Sequence, residues 1–238
     1  NAGRIMWATG ASNSTGAENA SPVATAATSS FVKAAHGPTR DEILAGMIKR
    51  DGLLALSLVI GNQDAAGDAV LQFDQASVTS AQACDAVTFG SCWRAFDIAY
   101  EQLSGEGMVA FASTTASRLA YRTWDGTNWS PATTSAPSVV NMGGTGAIRW
   151  VRLIPRGEML KGSRSDEILV ITSDANSDIF AGIWNGSAWT ATTTITAAAS
   201  TFHTQNFDGA WEESSGDAMV VWAEGTAATT TPYRYKKW

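Results

Sequence analysis

Charge is scarce in this chain. Only 16% of its 238 residues are Asp, Glu, Lys or Arg, against about a quarter in an average globular protein. The charge that is present runs acidic, to a formal net of −6. Lys and Arg nowhere gather with interleaved aromatics. Tyr233 to Lys237 comes nearest and is short, so a nucleic-acid partner is excluded. No apolar run approaches the ~20 residues of a membrane-spanning helix; the longest, Leu53 to Ile60, fits a buried strand. Helical periodicity is missing at any useful length, and even Arg40 to Lys49 reads as a strand. A Gly-x-Ser-x-Gly nucleophile elbow is absent, and the two histidines, His36 and His203, stand far apart in sequence. No signal peptide opens the chain and Met is not its first residue, which reads as a processed or excised piece.

Cysteine is nearly absent too. Cys84 and Cys92 enclose Asp85 to Ser91, a short segment containing Gly90. A local disulfide, and with it an oxidising compartment, is the expectation. Two buried thiols or half of a metal site are the other readings. With no third cysteine, a Cys-rich metal centre is not expected, and neither is any other cofactor.

Ala, Thr, Ser and Gly fill the space that charge leaves, together with ten Trp. That much aromatic and β-branched content folds rather than staying disordered, and 238 residues bury a substantial core. Internal repetition organises the chain. Phe96 to Phe111 aligns without a gap on Phe207 to Trp222, and 8 of the 16 positions are identical. Arg40-Asp41-Glu42-Ile43-Leu44 returns as Ser165-Asp166-Glu167-Ile168-Leu169, with Arg164 just before it. A third motif, Trp-Asp/Asn-Gly-x-x-Trp, occurs as Trp124 to Trp129 and Trp184 to Trp189.

Each repeat reads as short strands joined by turns. Phe96 to Glu101, Met108 to Ala112 and Leu119 to Trp124 are three strands. Ser104 to Gly107 and Asp125-Gly126 are the hairpin signals, and Trp129 starts a fourth strand. Ile148 to Pro155, Ile168 to Ser173, Ile179 to Trp184 and Trp189 to Ile195 repeat the pattern. The fold class expected is all-β, a β-propeller-like array of four four-stranded units. The units lie near 31–94, 95–147, 148–205 and 206–238. The last shows only three strands before Trp238. Asn1 to Trp7 resembles the missing turn and return strand, so Arg4, Ile5, Met6 and Trp7 are expected to complete that unit beside Trp238. The pairing would be made within one molecule or between neighbours. Residues 1–30 thus combine a closing or donor strand with a loop, Gly10 to Ser30, rich in small polar residues.

Several constellations carry potential chemistry. The Trp hairpins suit packing across strands and sheets. They also suit a sugar platform in which Trp124, Trp129, Trp184 and Trp189 stack on a pyranose while Arg122, Asp125 and Asn185 hold hydroxyls. Glu101 and Glu212 share one repeat position, as do Asp97 and Asp208. Carboxylates repeated symmetrically do not make the asymmetric acid and base of a glycosidase, so they read as turn caps or strand-end anchors. Asp41-Glu42 and Asp166-Glu167 suit local ion pairs with Arg40 and Arg164. Asp174 to Asp178 spaces oxygen ligands alternately but lacks the Gly and distal Glu of a calcium loop, and reads as a hairpin turn. Gly143 to Gly146 precedes a strand rather than a helix, which argues against a phosphate cradle. Sequons begin at Asn13, Asn19, Asn128 and Asn185.

The runs Phe96 to Glu106, Tyr121 to Trp129 and Arg40 to Leu44 together resemble repeat regions of large secreted or surface-attached bacterial and archaeal proteins, β-propeller-like and mostly without an assigned activity. The resemblance covers nearly all of the chain from Phe31 onward and carries no catalytic residue across. Trp-Asp-Gly-x-x-Trp is also similar, more distantly, to fucose-binding propeller lectins, in which Arg and Glu recur between blades. Here Arg122 and Arg234 recur without a matched Glu. Together these imply a non-enzymatic, extracellular or cell-surface structural or adhesive module meeting an unidentified protein or glycan surface. A carbohydrate-binding lectin and a filament subunit assembled by N-terminal strand donation are the alternatives.

Overall fold

The computed structural model describes residues 6–8, 18–20, 29–40, 42–49, 53–60, 70–72, 78–79, 84–85, 91–132, 134–157, 165–190, 192–201, 203–212, 214–225 and 233–238. Every regular element among them is a β-strand. At the N-terminus β1 (Met6–Ala8) pairs antiparallel with β2 (Glu18–Ala20). The first large sheet runs β3 (Ser29–His36), β4 (Glu42–Lys49), β5 (Leu53–Ile60) and β6 (Val70–Gln72), with β7 (Val78–Thr79) also on β5. A two-residue ladder comes next, β8 (Cys84–Asp85) with β9 (Ser91–Cys92).

The second sheet orders β10 (Phe96–Tyr100), β11 (Gly107–Ala112), β12 (Arg118–Trp124) and β13 (Trp129–Ser130), and β14 (Ser138–Asn141) also pairs β12. The third comprises β15 (Ile148–Pro155), β16 (Glu167–Asp174), β17 (Ile179–Asn185) and β18 (Thr193–Thr196). The fourth has three strands, β19 (Phe207–Trp211), β20 (Ala218–Ala223) and β21 (Tyr233–Lys237). The fold is all-β. Among the described residues no sheet closes on itself, so a closed propeller is an arrangement the strands suggest and do not display.

Neighbouring strands in these four sheets pair antiparallel, as short Gly-rich turns require. Two departures from the expected strands have local causes. The fourth strand of the second sheet breaks after Ser130 and resumes at Ser138, because Pro131 has no N–H to give the ladder. Arg122 then holds the intervening loop, donating from its guanidinium to the carbonyls of Pro131 (2.5 Å), Ala132 (2.6 Å) and Ser135 (2.6 Å).

The second departure concerns the termini. Met6, Trp7 and Ala8 face Ala20, Asn19 and Glu18 in register. Among the described strands β21 has one partner, β20. Within this chain the described strands thus pair Met6 and Trp7 with β2 and not beside Trp238; Arg4 and Ile5 lie outside the described residues. A short hairpin costs less closure entropy than bringing the terminus across the molecule. The edge it would join also carries Arg234, Lys236 and Lys237, and charge on an edge strand opposes pairing.

Packing distinguishes the four sheets. Both faces of β11 are buried along its whole length, and β16 is covered over all but its first residue. By contrast β20 alternates, Ala218, Val220 and Trp222 inward and Met219 and Val221 outward. One core joins the first three sheets, with Leu44, Ile48, Phe96, Phe111, Val170 and Phe180 among its members. A second lies between the third and fourth, built on Leu169, Ile171, Phe207, Val220 and Trp222.

Gly105 sits at φ 75° in the β10–β11 hairpin, and a Cβ there would fall on the Thr39 side chain of the first sheet. Gly105→Ala is therefore expected to lower stability by about 1–3 kcal/mol in urea unfolding, through backbone strain and displacement of Thr39. Gly157→Ala, with nothing within 4 Å of the added carbon, is expected to stay within about 0.5 kcal/mol of the parent.

Candidate functional site

Register fixes which residues of different sheets are counterparts. Gly107 faces Trp124, Ile168 faces Trp184, and Ala218 exchanges backbone bonds with Trp238. Trp124, Trp184 and Trp238 are thus one position, the end of the third strand. Lys236, not Arg234, stands where Arg122 stands, since Val109 faces Arg122 and Val220 faces Lys236. The Arg recurrence read from the sequence is a coincidence of spacing.

The hairpin tryptophans join the sheets. Trp124 reaches back to the first sheet, where its indole N–H donates to Glu42 at 3.3 Å. Trp184 reaches back to the second sheet, where its N–H donates to Glu101 at 2.5 Å. Trp124, Trp129 and Trp184 are all buried. Within each hairpin the two rings meet at 5.3 Å (Trp124 and Trp129) and 5.4 Å (Trp184 and Trp189). Tyr121 of the second sheet sets its ring edge-on against both Trp184 and Trp189, at 5.6 Å from each. A pyranose would have to displace these contacts. Asp125 and Asn185 are turn residues: Asp125 accepts from the N–H groups of Thr127 and Asn128, and Asn185 from Ser187 and Ala188. Those bonds, Asn128 first, hold the Asp125 carboxyl below its ordinary value.

The carboxylates are equally committed. Asp97 is fully buried and joins three sheets. It accepts from the Leu153 N–H at 2.9 Å and lies 3.7 Å from both Lys33 of the first sheet and Arg152 of the third. Glu42 takes Arg40 at 2.8 Å, the pairing the sequence suggests. Glu167 instead takes Arg156 from the preceding strand end, a partner no local motif signals; Asp41 and Arg164 lie outside the described residues. Asp174 accepts from Asn176, Asp178 and Gly146 N–H groups, which makes the segment a hairpin turn. Among the described residues no three of His, Cys, Asp and Glu converge as metal ligands.

Glu101 and Glu212 share a sequence position and differ in surroundings. Burial pushes Glu101 up from 4.5 to about 7, outweighing the bonds it accepts from Ser104 and Trp184. Glu212 is exposed, and the Ser214 and Ser215 hydroxyls and N–H groups hold it down at about 2. The difference arises from the third sheet. There Asp166 accepts the N–H groups of Leu103 (3.0 Å) and Ser104 (2.7 Å), and Glu101 is left to the indole. A cleft of about 240 Å³ lies beside this junction, lined by Lys33, His36, Tyr100, Gln102 and Arg152 among others. Burial first, then the charge of Glu42, raises the Tyr100 phenol above its ordinary range.

The sequence missed the Glu-to-indole contacts, because donor and acceptor stand 82 and 83 residues apart. The one legible sign was that Glu101 and the Trp motif both recur. Among the described residues no helix is long and apolar enough to cross a membrane.

No family profile matches the chain, and no curated protein matches it in sequence. Among solved structures, it is similar to the catalytic domain of a GH62 α-L-arabinofuranosidase from Coprinopsis cinerea, at a TM-score of 0.40 and 11% identity. That match covers 88% of this chain and 63% of the fungal chain, so the likeness spans less than two thirds of it. Similarity at that level carries no argument about activity.

Two outcomes are expected from the Glu101 contact. Trp184→Phe removes the indole donor from a buried acceptor and is expected to cost about 1–3 kcal/mol in urea unfolding. Between pH 4.5 and about 7 the folded chain holds a proton on Glu101 that the unfolded chain releases. Stability therefore falls as pH rises through that window, and Glu101→Gln is expected to flatten the slope. An unchanged slope would assign it to other groups.

Proposed function

We propose that this chain is a non-catalytic structural or adhesive module of a secreted or cell-surface protein, its repeat sheets stacked in propeller-like order. The observation that supports this reading is how the tryptophans and acids are used. Trp124 and Trp184 donate to Glu42 and Glu101 across neighbouring sheets, and Asp97 is a salt-bridged junction of three. The groups that a sugar platform or an acid–base pair would need are committed to holding sheets together. A lectin site at Trp124 or Trp184 would need those buried rings in solvent, so the carbohydrate reading draws no support from them. In an extracellular setting Cys84 and Cys92, directly opposite in register, are expected to be bridged.

Incubation with arabinoxylan and aryl glycosides is the direct test of the non-catalytic reading, and no sugar release is expected. Turnover abolished by Glu101→Gln would overturn it. Protease treatment of intact producing cells is expected to release fragments of the chain, and a wholly protected chain would contradict a surface location. Intact mass spectrometry is expected to show a gain of two hydrogens on reduction, which would be missing if the cysteines are thiols.

A further inference from the structure

The contact between the second and third sheets is a template for one that the described residues leave unmade. On the second sheet, the face toward the third carries Asp97, Glu101, Met108, Ala110 and Tyr121. Met108 and Ala110 are 0% exposed there. By repeat alignment and strand register their counterparts on the fourth sheet are Asp208, Glu212, Met219, Val221 and Tyr235. Met219 is 41% exposed, Val221 39% and Tyr235 73%. Tyr121 lies against two indoles, whereas its counterpart Tyr235 stands in solvent. Where Leu103 and Ser104 give their N–H groups to Asp166, Ser214 and Ser215 give theirs to their own Glu212. Among the described residues no sheet covers this face of the fourth sheet, which is shaped to take one.

Among the described residues, no sheet covers the first sheet at Val32 and Ile43. Its counterpart is the third, with Val32 in the place of Val151, Ala34 of Leu153 and Ile43 of Ile168. Val151 and Ile168 are buried completely, while Val32 is 63% exposed and Ile43 45%. Ala45 and Met47 of the same face are already buried, so Val32 and Ile43 form the part left to cover. The two exposed patches lie on the two kinds of face that make the internal second-to-third contact, the first sheet's reduced to Val32 and Ile43. In this structure they do not cover each other, since Met219, Val221 and Tyr235 on one and Val32 and Ile43 on the other stay exposed.

We propose that the fourth sheet of one molecule docks on the first sheet of a second copy, head to tail, using Met219, Val221 and Tyr235 against Val32 and Ile43. Asp208 then takes the Ala34 N–H as Asp97 takes that of Leu153. A contact between different faces is heterologous, so repetition yields rings or open fibres rather than a closed pair. The fit is apolar at its centre with carboxylates at the rim, as stable interfaces are. The proposal extends the structural-module reading and rests on the sheet stack, not on the cellular location.

The test is sedimentation velocity and electron microscopy on the full chain, with Val221→Asp and Ile43→Asp. Both side chains are substantially exposed, so each variant should keep the parent's circular dichroism and unfolding midpoint. Wild type is expected to form concentration-dependent oligomers and each variant alone to be monomeric. Mixing the two variants should restore dimers and nothing larger, because one keeps an intact fourth sheet and the other an intact first. A wild-type chain that stays monomeric, or a variant that assembles like wild type, would overturn the proposal. So would a mixture that remains monomeric. A monomer that protease still releases from cells would leave the structural-module reading standing, whereas an assembling enzyme would do the reverse.

Discussion

Asp97 is the joint on which the stack of sheets depends. A carboxylate with no solvent exposure is costly unless it is paired and hydrogen-bonded. Here the partners come from either side: Lys33 from the first sheet, Arg152 and the Leu153 N–H from the third, and the Ile98 N–H from its own strand. Removing any neighbouring sheet would leave part of that charge uncompensated. Asp208, at the same repeat position, keeps Arg152 but has no sheet beyond it among the described residues, and it is exposed. One residue type at one position is thus a buried three-sheet junction or a surface acid, depending on whether another sheet packs over it.

Around that joint two kinds of sheet alternate. The first and third present an Arg paired with a Glu toward the hairpin of the next sheet. Arg40 donates to the Gly105 carbonyl, and the Arg156 guanidinium occupies the space a Cβ on Gly216 would need. These two glycines are required for the same reason, positive φ beneath a neighbouring side chain. On the second sheet Glu101 takes the Ser104 hydroxyl where Glu42 and Glu167 take an Arg, and like Glu42 it accepts an indole N–H from the next sheet. The alternation explains why similar sequences recur every second unit.

Much of this was legible in the sequence and some of it was not. The β10–β12 and β15–β17 strands follow from alternation and from Gly at the turns, because strand periodicity and turn chemistry are local. The use of Asp125 and Asn185 as turn residues is local in the same way. The pairing of Met6 to Ala8 with β2 was not legible, because the N-terminal likeness to a missing turn is local while pairing depends on chain entropy and on edge charge. Trp124 and Trp184 left two readings open because an indole in a hairpin packs or binds equally well until its surroundings are known. In the structure Trp124 is buried against Glu42, and Trp184 against Glu101 and Tyr121.

The sequence by itself determined the strand class, the repeat spacing, the turn chemistry and the exclusion of a membrane-spanning helix, all of which rest on periods of a few residues. Tertiary structure decided which carboxylate meets which indole, why Glu101 rises to about 7 while Glu212 falls to about 2, and which faces stay bare. Those outcomes depend on desolvation by a sheet some eighty residues away, and no local pattern encodes it.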